Sequence, residues 1–226
     1  MKYADYQKAF SYPRLDRYRI ACGGDRQKAL ILYRYNIRLC QKFYAILGVF
    51  EITLRNAIDS HYQTQFSETN WLEMQVQYSG VFSDPIFQHG NYESRKIIQS
   101  GIRKLNTKYS HDRLVSSLSF GFWVMLFNKL QFSVCGKTLH TVFTNRPTGT
   151  LPREIYKELD RIRDFRNRIA HHEPICFDAM HHKNTAYAQR YYDLIRKYTD
   201  WLGYNPDQLF YGLDHAQDTI NKIAAI

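Results

Sequence analysis

The chain has 226 residues, 44% hydrophobic and 23% charged, which is the composition of an ordinary globular protein at a length that suits one domain. Lys and Arg number 31 against 21 Asp and Glu, a formal charge of +10, and aromatic residues reach 15%. These figures exclude an acidic disordered tail, a collagen-like chain and a membrane bundle, and they favour a polyanionic partner.

The opening residues, MKYADYQKAFSYPRLDRYRI, lack the apolar run of a secretory signal. Asp25 is placed to cap a helix starting at Arg26, where apolar residues recur at three- and four-residue spacing for about forty residues. A bend or break is expected at Gly48. The longest greasy stretch, 43–54, is interrupted by Glu51 and falls short of the ~20 apolar residues that a membrane span needs. Residues 67–92 read as irregular, with a short helix around Trp71 to Val76. Asn91 is then expected to cap a helix running to about Tyr109. Helices are expected over 111–118 and 122–134, the second opening after Gly121. Pro147 and Gly149 mark a loop, and Pro152 suits the first position of a helix that runs to about His172. There Pro174 forces Glu173 out of the α region. A last pair covers about 184–203 and 214–225, with Gly203, Asn205 and Pro206 between them. No strand, repeat or linker emerges, so the expectation is a single all-α domain over 1–226. Cys22, Cys40, Cys135 and Cys176 form no CxxC, which leaves no zinc ribbon or thioredoxin-like motif. Reduced thiols in a soluble intracellular protein are expected.

The charge is uneven. From Met1 to Tyr62 there are 11 basic and 5 acidic residues, and from Gly136 to His172 there are 8 and 4. From Glu173 to Ile226 the balance turns to 5 against 7. Such clustering fits a phosphate-binding surface, with Arg14, Arg17, Arg34, Arg38 and Lys42 as the candidate RNA-binding residues. Solvated helix faces account for many of these charges one by one. Tyr33, Tyr35, Phe43 and Tyr44 interleave with them, as a platform for unpaired bases or, the commoner explanation, as packing rings. The run Phe120 to Phe132 reads as core or dimer contact.

The segment 152–172 is the most informative. Its apolar seam reads Ile155, Leu159, Ile162 and Ile169, and the gap falls on Arg166. An arginine on a core-facing stripe is costly unless it is paired or lies at a cleft. His171 and His172 follow. On an ideal helix they lie about 140° and 240° around from Arg166, so convergence requires unwinding before Pro174, the reach of the arginine, or a second protomer. They lie at the negative end of the helix macrodipole, which suits cations. A guanidinium beside an imidazole, without a carboxylate pair or metal cage, suits cleavage of RNA by its own 2′-hydroxyl. Histidine moves the protons, and arginine stabilises charge on the phosphorane oxygens. A second arrangement, Glu51, Arg55, Asn56 and His61, lies on the early helix; an exposed ion pair between Glu51 and Arg55 is its plain alternative.

Five blocks then carry a resemblance: SYPRLDRY at 11–18, LYRYN at 32–36, FEITLRNAI at 50–58, LSFGFWVMLFNKL at 118–130 and IRDFRNRIAHHEPI at 162–175. The chain resembles the Abi-like (abortive infection, AbiD/AbiF-type) family of bacterial phage-defence proteins within the HEPN superfamily of helical RNases. The resemblance implies an all-α HEPN-like helical bundle with additional helices, and a metal-independent endoribonuclease without cofactor. Products would carry 2′,3′-cyclic phosphate and 5′-hydroxyl ends. The family's R-x4–6-H signature falls on Arg166, Asn167 and His171, with His172 adjacent. Its earlier Arg-Asn falls on Arg55 and Asn56, near Glu51. RNA is implied as substrate, a small noncoding RNA as regulator, a homodimer as the assembly, and the bacterial cytoplasm rather than a membrane as the location. Residues after Phe177 lie beyond the resemblance. Three rival readings stand beside it: a catalytically silent RNA- or protein-binding module, a zinc cluster of His171, His172, Cys176, His181 and His182, and a DNA-binding regulator, for which no helix-turn-helix is visible.

Overall fold

The computed structural model describes residues 2–226, with 87–90 described by their backbone alone. Among the described residues the fold is all-α, and a single isolated bridge pairs Phe177 with Lys183. The helices are α1 (Tyr3–Phe10), α2 (Tyr12–Ala21), α3 (Arg26–Phe66), α4 (Trp71–Met74), α5 (Gln88–Leu105), α6 (His111–Ser117), α7 (Phe120–Met125), α8 (Lys129–Val134), α9 (Pro152–Ala170), α10 (Ala186–Trp201), α11 (Pro206–Leu209) and α12 (Ala216–Ala224). None is long and apolar enough to cross a membrane.

Local chemistry sets most of the boundaries. Asp25 caps α3, its Oδ1 accepting the Gln27 and Lys28 N–H groups at 2.8 and 3.0 Å. Helix α3 then runs unbroken through Gly48, contrary to the expected bend. A glycine inside a helix costs about 1 kcal/mol, and the buried stripe of Phe43, Ile46, Leu47, Phe50, Leu54 and Ile58 on both sides outweighs it. Asn91 caps nothing. It lies inside α5, buried, with its Nδ2 donating to the Val81 carbonyl at 2.7 Å and its Oδ1 accepting from Gln131 at 3.1 Å. Both ends of the amide are committed to tertiary partners. The segment 120–134 is two helices, because the Asn128 Oδ1 takes the Gln131 N–H at 2.8 Å and starts α8 afresh.

The seam of α9 also differs from the expected one. Ile155, Leu159, Ile162, Phe165 and Ile169 are all buried, in steps of four, three, three and four. Phe165 fills the supposed gap, and Arg166 flanks the seam, half-buried. The 3.6-residue period accepts a step of three as readily as four, so the stripe is continuous.

By contacts the chain forms two compact units. The first comprises the chain up to Val49 with Asp164–Lys197 and Asn205–Ile226; the second comprises Phe50–Arg163 with Tyr198–Tyr204. In the first, the Phe165 ring is stacked on Tyr191, with centroids 4.3 Å apart, and meets the edge of Phe43 at 4.8 Å. Truncating such a ring to alanine costs ~3–5 kcal/mol. In the second, Phe120, Phe122, Trp123, Leu126 and Phe127 are buried core. Asp59 accepts from Trp71 Nε1 and His111 Nε2 through one oxygen, at 2.7 Å each, and from Gln63 through the other at 2.8 Å. One half-buried carboxylate thereby satisfies three donors.

Candidate functional site

Helix α9 ends in a complete left-handed cap. The His172 N–H returns to the Ile169 carbonyl at 3.0 Å and the Glu173 N–H to the Arg168 carbonyl at 3.0 Å, the paired bonds of a Schellman turn. That turn requires a left-handed residue, and His172 supplies it at φ 58°. Glycine is the usual occupant, since a Cβ is penalised there. Pro174 then prevents resumption of the helix. The helix therefore stops before both histidines, and His171 and His172 are exposed in the cap that follows it.

The chain beyond the cap is held from two other helices of the same unit. Arg14, on α2, donates to the His172 carbonyl at 3.1 Å. Asn36, buried in the middle of α3, accepts the Ile175 N–H at 2.9 Å. Tyr18 meets Phe177 edge-on at 4.9 Å. Three of the sequence blocks, 11–18, 32–36 and 162–175, thus converge on one helix terminus. Neither the role of Asn36 nor the anchoring role of Arg14 was expected. For Asn36 a signal existed: it sits on the apolar stripe Leu32, Leu39, Phe43, where a polar side chain needs a partner.

Around the cap, Asn167 is exposed and Arg166 half-buried and engaged. Arg168 pairs with Glu173 at 3.4 Å and lies over the Tyr187 ring at 4.9 Å. Arg166, Asn167, His171 and His172 thus occupy the last two turns of one helix and its cap.

Glu51, Arg55, Asn56 and His61 belong to the second unit, on the later part of α3. Glu51 is engaged, and Arg55 Nε approaches Asn56 Oδ1 at 3.4 Å, a weak contact. His61 and Asn56 border a groove of about 650 Å³ with Gln65, Thr138, Thr141 and Tyr204. The amide of Gln65 donates to the Cys135 carbonyl at 2.7 Å, so its oxygen faces Thr138 and accepts from that hydroxyl. The Thr138 oxygen is left to accept from His61 Nε2, 3.0 Å away. This chain selects the Nε2–H tautomer of His61, and partial burial lowers its pKa.

The basic residues are not equivalent. Arg14 anchors the cap. Arg34 donates to the Tyr6 hydroxyl at 2.9 Å and lies over its ring, and Arg38 lies over Tyr35. Arg17 and Lys42 are half-buried on α2 and α3. Of the interleaved aromatics, Tyr33 and Phe43 are core, whereas Tyr44 points outward.

The zinc alternative finds no support in the geometry. Among the described residues no group of three or more His, Cys, Asp or Glu could hold a metal ion. Cys176 is fully buried, and burial pushes its thiol up, away from the thiolate that a metal would need. All four cysteines are free thiols, and Cys40 is pushed up to about 11 by the same cause.

Among known families, the model described as Abi-like protein matches residues 1–176. No curated protein and no solved structure matches the chain.

Proposed function

The chain belongs to the Abi-like family, proteins of abortive-infection phage defence, and from that premise we propose that it is a metal-independent endoribonuclease of HEPN type acting at the end of α9. In the proposed reaction a histidine of the pair His171 and His172 takes the proton of a ribose 2′-hydroxyl, whose oxygen attacks the adjacent phosphorus. The bond from phosphorus to the 5′-oxygen breaks, and that oxygen leaves as a hydroxyl on receiving a proton from the other histidine. The products are a 2′,3′-cyclic phosphate and a 5′-hydroxyl end. Arg166 stabilises the charge on the non-bridging oxygens, and Asn167 offers an amide for orienting the phosphate or ribose.

The observation that supports this assignment is the residue at the cap. A helix that needs a left-handed terminator has His172 where glycine would serve it better, and Arg14 and Asn36 hold the chain on either side of it. Backbone strain kept in place by surrounding contacts is a mark of functional sites.

Purified protein should cleave single-stranded RNA in EDTA, leaving cyclic-phosphate ends, and Arg166→Ala and His171→Ala should each abolish the reaction. A requirement for added divalent metal, or activity that survives both substitutions, would sink the mechanism. RNA binding without cleavage under every condition favours the silent binding module instead. Two further parts of the proposal have their own readouts. A regulatory small RNA would co-purify and raise the 260 to 280 nm absorbance ratio. A site completed by a second copy would regain activity when the two inactive variants are mixed.

A further inference from the structure

A groove of about 650 Å³ lies between α2 and the turn that follows the cap, within the first unit. Tyr12, Arg17 and Ile20 line one side, and Met180, His181 and His182 the other. Large apolar side chains are unusually open here: Tyr12 is 58% exposed, Ile20 65% and Met180 76%. The turn is built rather than loose. Asp178 Oδ1 accepts the N–H groups of Met180 and His182 at 2.9 Å each, and the Asp178 N–H donates to the His182 carbonyl at 3.0 Å. Its base is tied down where the Asn184 N–H donates to the Cys176 carbonyl at 2.9 Å.

The charges of the groove are basic. Arg17 and Lys183 outnumber the one lining carboxylate, Asp16, which is paired with Arg19 at 2.8 Å, while Asp178 Oδ2 lies 3.5 Å from His182 Nδ1 and engages that histidine. Among the described residues no ion pair or hydrogen bond engages Arg17, in contrast to Arg34, whose guanidinium is already bonded to Tyr6. Arg17 lies three residues from Arg14 on α2, about one helical turn from the residue that holds His172. Exposed aromatic and apolar surface combined with uncommitted positive charge is the pairing that binds unpaired nucleotides, the ring for the base and the cations for the backbone.

We propose that this groove is a subsite for one unpaired RNA nucleotide flanking the bond cleaved at the end of α9, with its base packed between Tyr12, Ile20 and Met180 and its phosphate at Arg17 and His181. The subsite rests on the proposed RNA cleavage, but binding and turnover separate the two. The probe is a short single-stranded RNA with every 2′-hydroxyl methylated, which binds without being cut, followed by fluorescence anisotropy with the full chain. Tyr12→Ala and Arg17→Ala should each weaken binding about tenfold. Arg17→Ala should also reduce the slope of log K against log salt by about one. His171→Ala should bind as the unaltered protein does. With cleavable RNA, Tyr12→Ala should raise KM and leave kcat in place. One abasic position in the probe should cost the unaltered protein about tenfold and cost Tyr12→Ala nothing further, a readout that involves no change of fold. Cleavage with unchanged binding by both variants would overturn the subsite alone. Weakened binding by both variants in a protein that never cuts RNA would uphold the subsite and overturn the catalytic assignment. Absence of any binding to single-stranded RNA would overturn both.

Discussion

Arg14 and His172 stand 158 residues apart in the chain, and the guanidinium of the first donates to the carbonyl of the second at 3.1 Å. The contact is exposed, so it adds little to stability, but it grips the one left-handed residue of the helix cap and hence the direction in which His171 and His172 leave the helix. Arg14→Ala should change stability by under about 1 kcal/mol and lower kcat by about tenfold or more, since small displacements of reacting groups cost that much. Denaturant unfolding and single-turnover cleavage together check this. If Arg14 is instead a plain phosphate contact, the loss appears in RNA affinity and its salt slope, with kcat unchanged.

His172→Gly should stabilise the protein while impairing it. Relief of the left-handed Cβ is worth about 1–2 kcal/mol at a position the Schellman turn already demands, less the added freedom of glycine in the unfolded chain. The denaturant midpoint should rise with an unchanged slope, and RNA cleavage should fall. A midpoint that drops would show that the imidazole itself holds the cap together.

Asn36→Ala should be costly. The side chain is buried, and its loss leaves the Ile175 N–H without its acceptor inside the core, a penalty of ~1–3 kcal/mol. Urea unfolding measures it directly. Because Ile175 follows the cap by three residues, amide exchange should also quicken around 172–176.

Acid should destabilise the second unit through His61 and His140, whose pKa values are both lowered by burial, His140 also by Arg146. Each stays neutral in the folded chain at a pH where the unfolded chain binds a proton. Their contribution is therefore present above the ordinary histidine pKa of about 6.5 and is lost as pH falls below it toward the folded value. Tm measured from pH 7.5 to 5 should fall less steeply in His61→Gln than in the unaltered protein. Equal slopes would show that His61 titrates normally.

Much of this could be read from the residues in order. The apolar period announces α3, α9 and α10, Asp25 announces the start of α3, and Pro152 and Pro174 bracket α9, because propensity, capping and proline act over one turn of helix. The differences arise where tertiary packing decides. Asn91 has the chemistry of a cap, but Val81 and Gln131 take both ends of its amide. Gly48 has the chemistry of a break, but the buried stripe running through it overrides the propensity. The gap assigned to Arg166 was a matter of counting: Phe165 keeps the seam continuous, and the polar residue lodged on an apolar stripe is Asn36.

The +10 charge, its concentration before Tyr62 and between Gly136 and His172, the all-α fold and the Arg166-Asn167-His171-His172 signature all belong to the sequence alone, since each depends on residue type and short-range spacing. The tertiary structure decided which basic residues are already spent. It commits Arg34 to Tyr6 and Arg14 to the His172 carbonyl, and leaves Arg17 facing a groove. It also decided that the left-handed end of α9 is gripped from α2 and α3. That grip turns on hydrogen bonds between residues more than a hundred positions apart, and no local periodicity carries information about which distant donor a carbonyl will meet.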